Sequence, residues 1–190
     1  MALKLYLAGP DVFLPNAREI GRLKKDICAE FGFEGLFPLD TDEKISVSSR
    51  KIFTANCGLM RKADIGIFNC SPFRGPGADA GTAFEIGYLF HAGKTLWGYT
   101  NSPETYRARV SAVQRTRIKK DRVVDTLGLS VEDFGLADNL MLIEAIRVSR
   151  GRTIAVAEPQ GTQHDPLAAM AAFKKCLEGI KKGMSRRGVS

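Results

Sequence analysis

At 190 residues the chain fits one domain, able to bury about 70% of its unfolded surface without disulfide or metal staples. Its 44% hydrophobic and 26% charged residues are those of an ordinary soluble globular protein, and no apolar run approaches the roughly 20 residues that span a bilayer. The net charge of +7 raises a nucleic-acid reading, but much of it sits in Lys174-Lys175, Lys181-Lys182 and Arg186-Arg187, spaced like a solvated helix face. A second cluster, Arg115 to Lys120, has no interleaved aromatics to stack on bases, so nucleic-acid binding is not expected.

In chain order, Leu3 to Ala8 reads as a short buried strand closed by Gly9-Pro10, with no secretory signal pattern before it. A cytoplasmic protein is expected. Asn16 to Gly32 has helical spacing, with Ile20, Leu23, Ile27 and Phe31 on one face and Asn16 as the N-cap. Phe33 to Pro38 is a second short strand. Ser48 or Ser49 then caps a helix carrying Ile52, Ala55, Leu59 and Met60. Ile65 to Cys70 is apolar almost throughout, as a strand buried on both faces would be. A Gly/Pro-rich loop, Ser71 to Ala78, leads into a helix from Asp79 to Ala92. Lys94 to Tyr99 and Thr153 to Ala157 complete five strands.

This alternation predicts an α/β fold: a doubly wound, mostly parallel five-stranded sheet with helices on both faces, of the flavodoxin or Rossmann kind. Residues 1–182 form the domain. Within it 101–138 is a polar, basic insertion with one helical piece around Thr105–Ile118, and 183–190 is a flexible basic tail. In such sheets ligands sit at the carboxyl ends of the strands, where Tyr6 to Gly9, the 69–79 loop and the start of the Asp79 helix converge.

The chemistry begins with exclusions. Leu7-Ala8-Gly9-Pro10-Asp11 lacks the G-x-G-x-x-G of a dinucleotide site, and no G-x-x-x-x-G-K-[ST] phosphate loop occurs. Cys28, Cys57, Cys70 and Cys176 form no C-x-x-C pair, and His91 and His164 stand far apart, so no metal, cofactor or Ser-His-Asp triad is expected. What remains is Asp79-Ala80-Gly81-Thr82-Ala83-Phe84-Glu85-Ile86-Gly87-Tyr88. It sets two carboxylates six residues apart where a loop becomes a helix, and Glu85 falls among apolar neighbours. The positive end of the helix dipole stabilises an anion there. An ionised glutamate so held can attack an electron-poor carbon such as the anomeric carbon of a sugar. The competing reading gives Asp79 a cap and Glu85 a solvated face.

Tyr6-Leu7-Ala8-Gly9-Pro10, the strand start Asp64-Ile65, Asp79-x-Gly81-Thr82-x-x-Glu85-Ile86-Gly87-Tyr88 and Asp138-Asn139-Leu140-Met141 together resemble the nucleoside 2-deoxyribosyltransferase family. The match covers roughly residues 3–100 and the segment around Asn139. The resemblance implies a two-step, retaining transfer of 2-deoxyribose between free bases, with Glu85 attacking C1′ and Tyr6 orienting it. It implies that Asp79 accepts the hydrogen bond of the sugar's 5′-hydroxyl, with Gly9 and Gly81 lining the substrate site. It further implies that Asn139 reaches the 5′ region of a neighbouring subunit, making the protein at least a homodimer whose small-molecule partners are deoxynucleosides and nucleobases. Asn139 is equally well placed to cap the helix Leu140–Arg147, and Tyr6 to be a core aromatic. One departure stands out. Many family members carry an aspartate, eight residues before the position of Asp64, that protonates the base; here it is Asn56, which cannot deliver a proton at neutral pH.

A nucleoside 5′-monophosphate N-hydrolase of the same superfamily is the alternative. Those relatives tend to carry serine where Asp79 stands, and a carboxylate about 3 Å from a phosphate dianion is strongly unfavourable.

Overall fold

The computed structural model describes residues 2–40, 48–149, 155–156 and 166–187. Five strands, β1 (Lys4–Ala8), β2 (Glu34–Leu36), β3 (Ile65–Asn69), β4 (Thr95–Thr100) and β7 (Ala155–Val156), make one sheet in the order β2-β1-β3-β4-β7. Every pairing in it is parallel. The order reverses between β1 and β3, so their carboxyl ends diverge and open a crevice there, as in flavodoxin-like sheets.

Side chains alternate across a strand, so β1 sends Leu5 and Leu7 to one face and Tyr6 and Ala8 to the other. Leu5 and Leu7 join a core with Ile67, Trp97 and Tyr99 under helices α1 (Ala17–Glu30) and α6 (Pro166–Arg187). Tyr6 and Ala8 join Phe68 and Leu96 under α2 (Ser49–Lys62), α3 (Ala80–His91) and α5 (Leu140–Val148). Tyr6 is thereby aimed at the helices whose sequences carry the candidate carboxylates.

Helix starts follow their caps. The Ser48 side chain accepts from Lys51 N at the head of α2, and Asp79 accepts from Thr82 N at the head of α3. Asn16 precedes α1, but its side chain makes no capping bond. Residues 101–138 hold a helix α4 (Tyr106–Val113) and a hairpin of β5 (Arg117–Lys119) and β6 (Arg122–Val124). The helical piece thus stops five residues short of Ile118, which pairs with Val123. α6 continues through Gly183 to Arg187, so the chain there is helical, and Gly183 and Met184 pack beside Trp97 and Ile180. Of the fifth strand expected over Thr153 to Ala157, Ala155–Val156 pair with β4; the rest lies outside the described residues. Among the described residues no helix is long and apolar enough to cross a membrane.

Candidate active site

The crevice floor is a buried polar network. Lys24 Nζ, 1% exposed, donates to Asp11 Oδ2 at 2.7 Å and to Tyr99 OH at 2.8 Å. Asn69 Nδ2 donates to the same Asp11 oxygen at 3.1 Å, while Asn69 Oδ1 accepts from Ser71 N and Ser71 Oγ. Ser71 Oγ in turn accepts from Asn101 N at 3.0 Å. The segments leaving β1, β3 and β4 are therefore tied to one another at the carboxyl end of the sheet. Gly9 lies at this junction with φ of 149°, and a Cβ there would come within 2.4 Å of Asn69 Cβ. Only glycine fits both the dihedral and the space.

On the other face of the sheet, Tyr6 and Glu85 meet. The Tyr6 hydroxyl, buried in the sheet, donates to Glu85 Oε1 at 2.5 Å across 79 positions of sequence. Among the described residues no hydrogen bond falls on Glu85 Oε2. Burial pushes the half-buried Glu85 carboxyl up to about 7; the Tyr6 hydrogen bond pulls it back, and the nearby Asp79 charge adds to the rise. Burial, then Glu85, holds the Tyr6 phenol far above its ordinary range, so it stays a donor at any working pH. The solvated-face reading of Glu85 does not describe this geometry.

Asp79 does cap α3, but the cap occupies one oxygen. Thr82 N and Thr82 Oγ1 donate to Oδ2 at 3.0 and 3.3 Å, and among the described residues Oδ1 takes no hydrogen bond. Gly81 makes room for that carboxylate: a Cβ on it would sit 2.9 Å from Asp79 Oδ2.

Asn56 lies on α2, beside Cys57, which shares a core with Tyr6, and one turn beyond Phe53, whose ring meets Phe84 of α3 at 5.8 Å. Its Oδ1 is buried with no hydrogen-bond partner. Asn139 caps α5 within its own chain: Oδ1 accepts from Met141 N at 3.0 Å and Nδ2 donates to Glu132 Oε1 at 2.7 Å.

Two residues that bear on the site escape the sequence reading. Arg109, 3% exposed, donates from Nε to Pro76 O, from Nη1 to Glu104 O and from Nη2 to Ala137 O and Asp138 Oδ2. Asp138, 2% exposed, also accepts from Ala78 N at 3.0 Å. The pair clamps the loop that leads into Asp79 against the 132–139 segment. Their only sequence trace is the Asp138-Asn139 dipeptide, since Arg109 sits in a basic stretch that reads as surface.

Removing the Tyr6 hydroxyl tests whether it orients Glu85 or only packs. Tyr6→Phe should lower turnover roughly 10- to 100-fold, the loss of one hydrogen bond to a charged group. It should also move the rising limb of the pH–rate profile upward, because the interaction that lowers the Glu85 carboxyl is gone. A pH–rate series on both proteins checks this; an unmoved limb counts against the assignment.

The chain belongs to the nucleoside 2-deoxyribosyltransferase family, whose sequence model matches residues 5–141. It is 34% identical over 165 residues to an uncharacterized protein of Schizosaccharomyces pombe, an alignment covering 77% of this chain and 78% of that one. In structure it is similar to a 2-desoxiribosyltransferase from Leishmania mexicana, with TM-score 0.61 and 28% identity over 91% of this chain and 97% of that one. A conserved protein from Enterococcus faecalis shares the fold at TM-score 0.54 and 16% identity, covering 94% of this chain and 99% of that one.

Proposed function

We propose that the protein transfers 2-deoxyribose between the bases of deoxynucleosides through a covalent ester on Glu85. The observation that carries the reading is the Tyr6–Glu85 hydrogen bond, set on the second turn of a helix capped by Asp79. Tyr6 fixes Oε1, and Oε2 attacks C1′ as the bond from C1′ to the base nitrogen breaks. The electron pair leaves with the base, which takes a proton from water, since Asn56 has none to give. The nitrogen of a second base then attacks C1′, gives up its proton to water, and Glu85 departs as a carboxylate. Two inversions retain configuration, and each passes an oxocarbenium-like state that a carboxylate anion stabilises.

Asp79 Oδ1 accepts the 5′-hydroxyl and so holds C1′ within reach. The same carboxylate repels a 5′-phosphate. Asp79→Ser should therefore weaken deoxynucleoside turnover, chiefly through KM, and admit 5′-monophosphates. Competition between thymidine and its monophosphate measures it, and unchanged selectivity would remove the anchoring role.

The working unit is at least a homodimer in the cytoplasm, with Asn139 presented across the subunit boundary. Its cap fixes the carboxamide, and the neighbouring Met141, 70% exposed, supports a partner on that side.

The test is a chromatographic assay with thymidine as donor, with and without adenine or hypoxanthine, repeated with deoxyguanosine and a 5′-monophosphate. New deoxynucleoside that appears only with an acceptor base is the expected result. Base released from the monophosphate without any acceptor would move the protein to the N-hydrolases.

A further inference from the structure

One buried carboxylate joins the heads of two helices. α3 is capped by Asp79 and α5 by Asn139, and the two helices share a core through Ile86, Leu89, Ile143 and Ile146. Asp138 Oδ2 accepts from Ala78 N, one residue before Asp79, at 3.0 Å and from Arg109 Nη2 at 3.2 Å. Asp138 Oδ1 accepts from Asn139 N at 2.7 Å. The side chain is 2% exposed, so water cannot take the place of either bond.

Asn139 is held more firmly than a cap requires. One bond, from Met141 N to Oδ1 at 3.0 Å, suffices to cap α5. Glu132 nonetheless accepts from Asn139 Nδ2 at 2.7 Å and from Leu140 N at 2.9 Å. Backbone and carboxamide are both fixed, and these bonds leave the carboxamide one N–H and one lone pair to offer. A binding group held that way is in place before its ligand arrives.

We infer that Asp138 is a positioning residue shared by two active sites: through Ala78 it sets Asp79 of its own subunit, and through Asn139 it sets the carboxamide presented to the neighbouring subunit. The inference rests on the proposed reading of a transferase whose subunits lend Asn139 to one another. Asparagine at position 138 separates the two duties. An amide has one oxygen, and the side facing Ala78 N and the Arg109 guanidinium offers it two donors against one at Asn139 N. The oxygen takes that side, and the amide nitrogen is turned onto Asn139 N–H, donor against donor. Asp79 keeps its support while Asn139 loses its own, so the defect falls in the neighbour's site.

The test uses mixed oligomers, co-expressed so that a tagged subunit with intact Glu85 is surrounded by an excess of Glu85→Gln subunits. Each working site then takes Glu85 and Asp79 from the tagged chain and Asn139 from a silent one. Asp138→Asn in the silent subunits should raise the donor KM roughly tenfold, as loss of one positioned hydrogen bond does, and leave kcat within about twofold. In the tagged subunit the same change should move KM by less than about twofold. A residue that merely stabilised its own chain would not move the KM of a neighbour. Arg109→Met/Asp138→Leu, which removes both acceptors together with the buried charge, should raise KM from either position and serves where Asp138→Asn does not fold. Equal losses from both positions with Asp138→Asn, a loss confined to the tagged subunit, or no loss from silent subunits carrying either variant overturns the inference. A monomer that exchanges bases overturns it as well and leaves the transferase standing; no base exchange by wild type removes both.

Discussion

Replacing Glu85 by glutamine should abolish transfer, by three orders of magnitude or more, while making the protein more stable at neutral and alkaline pH. The activity loss follows from the nucleophile assignment: an amide oxygen still accepts from Tyr6 but cannot form the ester. A glutamine variant within tenfold of wild type would sink that assignment. The stability gain follows from the carboxyl's position. Its folded value is about 7 against an ordinary 4.5. Below pH 4.5 both folded and unfolded chains hold the proton, and nothing is lost. From there to pH 7 the unfolded chain releases its proton while the native one keeps it, so native stability falls. The loss levels off above pH 7 at on the order of 3 kcal/mol. Glutamine has no such loss. The melting-temperature advantage of the variant should thus be small at pH 4.5 and reach roughly 6 to 12 °C at pH 8. Calorimetry at the two pH values checks it, and a pH-independent difference would mean the carboxyl is not held neutral by burial. Wild-type kcat/KM should rise along the same titration, because only the anion attacks.

The second large effect is expected from Arg109→Met. Its guanidinium makes four hydrogen bonds, and its loss leaves the Asp138 carboxyl buried with only backbone donors from Ala78 and Asn139. Burial already raises the Asp138 carboxyl despite those donors and the guanidinium. Breaking one side of such a pair costs about 3–5 kcal/mol. Because the clamp holds Pro76 and Ala78, the loop that positions Asp79 loosens too, and KM for the donor should rise more than kcat falls. The double variant Arg109→Met/Asp138→Leu should recover part of the stability but not of the KM. Urea unfolding and steady-state kinetics on the single and double variants read both; full recovery of KM would confine the clamp to a structural role.

The parts of this molecule that were legible in the sequence are those in which a local rule and the tertiary structure agree. The near-continuous apolarity of Ile65 to Cys70 marks a central parallel strand, and Asp79 three residues before Thr82 marks a cap. The strand–helix alternation leads to a parallel sheet with the expected face coverage. What stayed hidden depends on partners far apart. Arg109 and Asp138, 29 positions apart, look like surface charges until the fold buries them together. The hairpin of β5 and β6 was masked by its turn, because Lys120 and Asp121 adopt positive φ values of 48° and 62° where Asn-Gly would announce a turn. Residues 183–190 read as a flexible basic tail, yet α6 runs on to Arg187. Asn139 shows the limit of a motif: its cap on α5 is plain in one chain, and its proposed reach to another is a matter of assembly.

The distance in sequence between Tyr6 and Glu85 bears on how the molecule acquires its activity. The donor lies on the first strand and its acceptor on a helix that follows β3, so they meet only after β1 and β3 have paired in register. Closing so long a loop is slow relative to forming local helices. During refolding, helical signal should therefore return before any catalytic competence, and no fragment ending before α3 can carry part of it. Competence should emerge in a single late phase, together with the burial of Tyr6.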